Sequence, residues 1–112
     1  MANTFVNKKV DLTTTSVTTL YTVPSASTAI IKSILVSEDS GNADTITITI
    51  TAGSDVFSLF KTKAVGANTT VELLTAPLVI EESEILKVTA ATANRLHVVL
   101  SSLEVRKRTV TT

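Results

Sequence analysis

The chain has no cysteine and no tryptophan, one histidine, two prolines and three glycines in 112 residues, and its only aromatic residues are Phe5, Tyr21, Phe57 and Phe60. Each scarcity closes off a chemistry. Without cysteine there is no disulfide frame of the kind that staples small secreted domains, and no thiolate to bind zinc or act as a nucleophile. Gly41, Gly53 and Gly66 stand singly in separate turns, so they cannot form a phosphate-cradling loop. Ten basic and ten acidic residues cancel. That removes the long-range field that attracts nucleic acid or an anionic membrane, and it favours association over repulsion. Met1 to Val10 lacks an apolar core and carries Lys8-Lys9 where a signal peptide would be apolar. No apolar run approaches the ~20 residues of a membrane span. These features predict a soluble protein made in the cytoplasm.

What is abundant is residues branched at Cβ. Thr (21), Val (14) and Ile (8) make up 43 of the 112 residues. Their stiff χ1 angles suit a pleated surface and disfavour helix. Thr45-Ile46-Thr47-Ile48-Thr49-Ile50-Thr51 alternates with period two, and nowhere do apolar residues recur at helical spacing for two turns. Turn signals every eight to twelve residues divide the chain into about eight short strands, as expected of a sandwich or barrel. Thr4 to Leu12 reads as a strand anchored by Phe5, and Val17 to Val23 ends at Pro24. Thr28 to Glu38 places Ile30, Ile34 and Val36 on one face and Ile31 and Leu35 on the other, the pattern of a strand covered on both sides. Thr45 to Thr51 and Val56 to Thr62 form a hairpin around Gly53. Pro77 restricts Leu78-Val79-Ile80 to an edge or a strand start. Ile85 to Ala91 and Arg95 to Arg106 read as a closing hairpin. The fold expected is all-β: one antiparallel β-sandwich domain over 1–112, jelly-roll-like, with short extensions at 1–12 and 106–112. A closed barrel is the alternative.

The polar residues make no catalytic constellation. His97, between Leu96 and Val98 on an alternating strand, could serve as a ligand or base, but it has no second His or Cys to complete a site and reads as a strand residue facing solvent or a polar seam. Glu81, Glu82 and Glu84 could offer oxygens to Ca²⁺, yet no Asp-x-Asp-x-Asp-Gly loop accompanies them and they read as a solvated corner. Asp39, Asp44 and Asp55 in neighbouring loops read the same way. Asn68-Thr69-Thr70 matches a glycosylation sequon but reads as a turn. Arg106-Lys107-Arg108 is open to three readings: a solvated terminus, a contact to an acidic protein neighbour, or a phosphate contact, the last weakened by the lack of interleaved aromatics. Phe57 and Phe60 point to opposite sides of a regular strand; a bulge would bring both to the core. No catalytic residue, cofactor or metal ligand is assigned. Phe5, Lys8, Lys9, Arg106, Lys107 and Arg108 are the candidate partner contacts.

Two segments carry a resemblance. Leu20-Tyr21-Thr22-Val23-Pro24, followed by the Ile/Val-rich strand with its single Lys32, and the closing Ser101-Ser102-Leu103-Glu104 resemble a family of small all-β virion structural proteins of tailed bacteriophages. The resemblance covers roughly residues 17–105. It implies a non-enzymatic particle component, located in the virion after synthesis in the host cytoplasm. The leading expectation is a capsid decoration (cement) protein, binding the major capsid protein or other virion proteins as a homo-oligomer, without nucleic acid or membrane. A tail, neck or fibre-attachment role is the alternative within the virion. A carbohydrate-binding sandwich is the alternative outside it, disfavoured by the lack of aromatics for stacking sugar rings. The family implies no residue-level site. On this reading the two termini matter more for assembly than for folding.

Overall fold

A computed structural model describes residues 3–106, and Lys107 and Arg108 lie outside the described residues. The described chain forms nine strands: β1 (Asn3–Asp11), β2 (Thr18–Thr22), β3 (Ser27–Glu38), β4 (Asp44–Ala52), β5 (Asp55–Val65), β6 (Thr70–Glu72), β7 (Leu78–Ile80), β8 (Ile85–Ala90) and β9 (Leu96–Arg106). They build two antiparallel sheets, β1-β9-β3-β6 with β7 also on β3, and β2-β8-β4-β5. Strands β6 and β7 occupy two halves of one strand position beside β3. Counted as one interrupted strand, they give the sheets the order 1-8-3-6 and 2-7-4-5, which is a jelly-roll sandwich.

Alternation of small polar and branched apolar residues decides which face is buried. On β4, Ile46 and Ile48 are fully buried, while Thr45, Thr47 and Thr49 face outward. On β8, Leu86, Val88 and Ala90 pair with Ile50, Ile48 and Ile46 on the same inner face. The opposite wall comes from Leu96, Val98 and Leu100 of β9 and from β3. Each such side chain contributes roughly 1.5–3 kcal/mol by leaving water. The core is therefore almost wholly aliphatic, with Tyr21 its one fully buried aromatic residue.

Four expectations need correcting. The closing hairpin does not form: β8 lies in one sheet and β9 in the other, so Ala91–Arg95 crosses between layers. Strand β3 is not covered on both faces. A bulge at Lys32 separates the pairs Ile31–Ser102 and Ser33–Ser101, so the inward set runs Ala29, Ile31 and then Ile34, Val36, leaving Ile30 and Leu35 outside. The extra residue shifts the two-residue period by one. Residues 3–12 of the expected N-terminal extension belong to the sandwich instead, because β1 pairs with β9 along all nine of its residues and Leu12 lies in the core. Phe5 is not an anchor: it faces outward and is 84% exposed.

Bulges also settle the aromatic pair on β5. Phe57 pairs with Ile50 and Phe60 with Ile48, both core-facing positions, because irregularities fall between these pairs. Phe60 packs against the core, whereas Phe57, near the hairpin tip, remains 56% exposed. At a second bulge Thr62 adopts φ +50°, unusual for a β-branched residue, and its N–H donates to Thr47 Oγ1 at 3.1 Å. The tip turns through Gly53 at φ +63° with Ser54 at negative φ, the pattern of a type II′ hairpin turn.

Candidate interaction surface

The outward face of the five-stranded sheet carries the candidate contacts that the structure brings together. Pairing registers align its side chains in rows across the strands. One row reads Phe5, Leu103, Ile30, Val79, from β1 through β9 and β3 to β7. Two steps along the strands a parallel row reads Lys9, Val99, Leu35, Glu72. Between them lie Asn7, Ser101 and Ser33, with the exposed Lys32 at the bulge beside them. Phe5, Val79 (58%) and Leu35 (37%) are the exposed large apolar residues of this face, and Leu103, Ile30 and Val99 are half-buried. Of the expected contacts Phe5 and Lys9 lie on this face, and Leu103, Ile30 and Val79 beside them are not among those expected. Only the register, including the Lys32 bulge, shows that these residues stand side by side.

The other predicted contacts do not join this surface. Lys8 pairs with Leu100, on the opposite side of β1 from Lys9. Arg106 sits at the end of β9 opposite Ser27. Because β1 is a sheet edge, Lys8 and Lys9 also place charge beside its unpaired ladder groups, a common guard against strand addition. The β5 edge is blunted by its bulges and by Lys61 and Lys63.

Five carboxylates, those of Glu38, Asp44, Glu72, Glu82 and Glu84, accept from backbone donors. Glu38, fully buried at the end of β3, accepts from Ser40 N–H (2.9 Å), Gly41 N–H (3.1 Å), Asn68 N–H (3.1 Å) and the Ser40 hydroxyl. It thereby ties the β3–β4 loop to the β5–β6 loop. Burial alone would raise its pKa; the hydrogen bonds from Ser40, Asn68 and Gly41 outweigh burial and hold it down to about 2. Glu72 accepts from the Ser33 hydroxyl, from Ile34 N–H (2.8 Å) and from Leu74 N–H (3.3 Å), where β6 ends short of β7. Its pKa is likewise lowered, burial being outweighed by these donors. In the acidic corner Glu82 accepts from Ala26 N–H (2.5 Å) and Glu84 from Glu81 N–H (2.7 Å). Asp44 accepts from Thr92 N–H at 3.0 Å. His97 faces outward between Asp11 (Nδ1–Oδ1 3.8 Å) and Asp39 (Nε2–Oδ1 3.3 Å), a polar seam at one end of the sheet.

A groove of about 500 Å³ opens where the two sheets part along one side, lined by Leu59 and Phe60 of β5 and by Val71, Leu74, Pro77 and Leu78 around the β6–β7 link. Lys63 and Glu72 are its charged residues.

No known protein family matches the sequence, and no curated protein matches it. The fold is similar to a solved structure from Bacillus, obtained in work on endospore appendages that form a family of disulfide-linked pili. The TM-score is 0.53 at 14% identity, covering 96% of this chain and 93% of the other. At that identity the likeness establishes a shared fold.

Proposed function

We propose that this chain is a non-enzymatic structural subunit of a tailed bacteriophage particle, acting as a capsid decoration protein. The observation that carries the reading is the end-to-end fold likeness to a structure from pilus-forming endospore appendages, which supports a structural role for the sandwich. The sequence resemblance to phage virion proteins adds the particle. Its two separated segments converge in space, because Tyr21 and Glu104 meet inside the sandwich. A subunit of this kind works by burial, holding apolar surface rigid until a neighbour covers it. The chain departs from the disulfide-linked pili in one respect that matters for mechanism: with no cysteine it forms no disulfide links.

The pilus likeness also favours a second location within the virion, at the tail, neck or fibre attachment, because the related fold serves an appendage. Incubating the purified chain with phage heads that lack it, then sedimenting them, separates the two. Saturable co-sedimentation with heads supports decoration. Binding to tails alone moves the protein to the appendage, and binding to neither removes the particle reading.

A further inference from the structure

We propose that the outer face of the five-stranded sheet is a homodimer interface, closed by a two-fold axis parallel to the strands between β9 and β3. The argument is the self-complementarity of the two rows. Rotation about that axis lays β1 of one copy over the β6/β7 position of the other, and β9 over β3. Phe5 then covers the other copy's Val79, and Leu103 covers its Ile30. In the second row Lys9 faces Glu72 of the other copy and Val99 faces Leu35, so unlike charges meet at both ends of that row, and between the rows the exposed Lys32 at the bulge faces the other copy's Ser101. An axis perpendicular to the strands would instead stack Phe5 on Lys9 and forfeit both matches. The parallel axis keeps strand directions aligned, the usual geometry of packed sheets.

The area suffices. Four strand positions spaced by about 4.8 Å and nine residues rising about 3.4 Å each give a face of roughly 19 by 30 Å, or about 1,100 Å² buried in total over two copies. That clears the ~1,000 Å² expected of a specific interface. A net charge of zero leaves no long-range repulsion between copies. The inference stands on this face and not on the particle reading, and dimerisation in solution is measured apart from incorporation into particles.

Light scattering after gel filtration at roughly 100 µM, a concentration suited to an interface of this size, is expected to give twice the 11.8 kDa chain mass. Leu103→Lys should weaken dimerisation by roughly tenfold or more while leaving the melting temperature unaltered at a dilution where both chains are monomeric, because Leu103 faces away from the core. The cysteine-free chain permits a positional test. Phe5→Cys and Val79→Cys variants, mixed and treated with a short bismaleimide, should give a cross-linked heterodimer, whereas each variant alone should not. Within one chain the two sites lie three strand spacings apart. A monomeric wild type, a dimer indifferent to Leu103→Lys, or cross-linking of Phe5→Cys with Lys9→Cys in place of Val79→Cys would each overturn the inference.

Discussion

The Tyr21 hydroxyl donates a 2.5 Å hydrogen bond to Glu104 Oε2 across the sandwich, joining β2 of one sheet to β9 of the other. Both residues are at least nine-tenths buried, at the end of the core where Ser27 and Ser102 replace aliphatic side chains. The adjacent Leu20 is buried too, because a bulge between Thr19 and Tyr21 turns consecutive residues inward. Burial first, and then the bond to the carboxylate, push the tyrosine pKa well above its ordinary value.

Tyr21→Phe leaves the buried carboxylate without its donor. The expected cost is about 1–3 kcal/mol, and each kcal/mol lowers the melting temperature of a domain this size by about 4–8 °C. A tyrosine whose folded pKa is raised contributes stability that is complete below the unfolded value near pH 10 and is lost as pH rises beyond it. Tyr21 is the chain's only tyrosine. Tyrosinate absorbance should therefore appear together with alkaline unfolding, and ionisation of a still folded chain near pH 10 would contradict the assignment.

Glu38 predicts the acid limb. With its folded pKa held near 2, its contribution is complete above the unfolded value of about 4.3 and is lost as pH falls toward 2; Glu72 acts in the same direction. Thermal midpoints should decline through that window. Glu38→Gln should lower the neutral-pH midpoint by roughly 5–10 °C and flatten the decline. An unchanged acid slope in the variant would rule out Glu38 as its source.

The Lys32 bulge makes a sharper prediction, because it places neighbours in opposite environments. Ile31→Ala and Ile34→Ala, at fully buried positions, should each cost about 2–5 kcal/mol. Ile30→Ala and Leu35→Ala should each cost under about 1 kcal/mol when measured on the monomer at high dilution. Urea denaturation of the four variants checks this, and a large loss at Ile30 with little at Ile31 would mean the register is wrong.

Removing residues 1–11 strips β1 from β9 along its whole length and uncovers the core beside Val6 and Val10. Circular dichroism should show loss of the cooperative melt. A truncated chain that melts like the parent would restore the view of this segment as an assembly arm.

These two cases show what the sequence makes legible. Alternation along Thr45–Thr51, the hairpin at Gly53 and the edge position of Leu78–Ile80 are local, and they follow from residue type and turn chemistry. The inward set of β3, the shared face of Phe57 and Phe60 and the burial of both Leu20 and Tyr21 depend on bulges, which leave no mark in a strand's composition. The sheet to which β8 and β9 belong is set by long-range pairing, so two adjacent strands read as a hairpin. The outer face was legible only at Phe5 and Lys9, because the rows that give those residues meaning are assembled from four strands distant in sequence.

The copy number of this chain in purified particles, measured by quantitative mass spectrometry against the major capsid protein, tests the central claim most directly. A decoration protein is expected at a ratio near one or a simple fraction of it, and a ratio of a few per cent would place it at the tail, neck or fibres. Absence from the particles would contradict the claim.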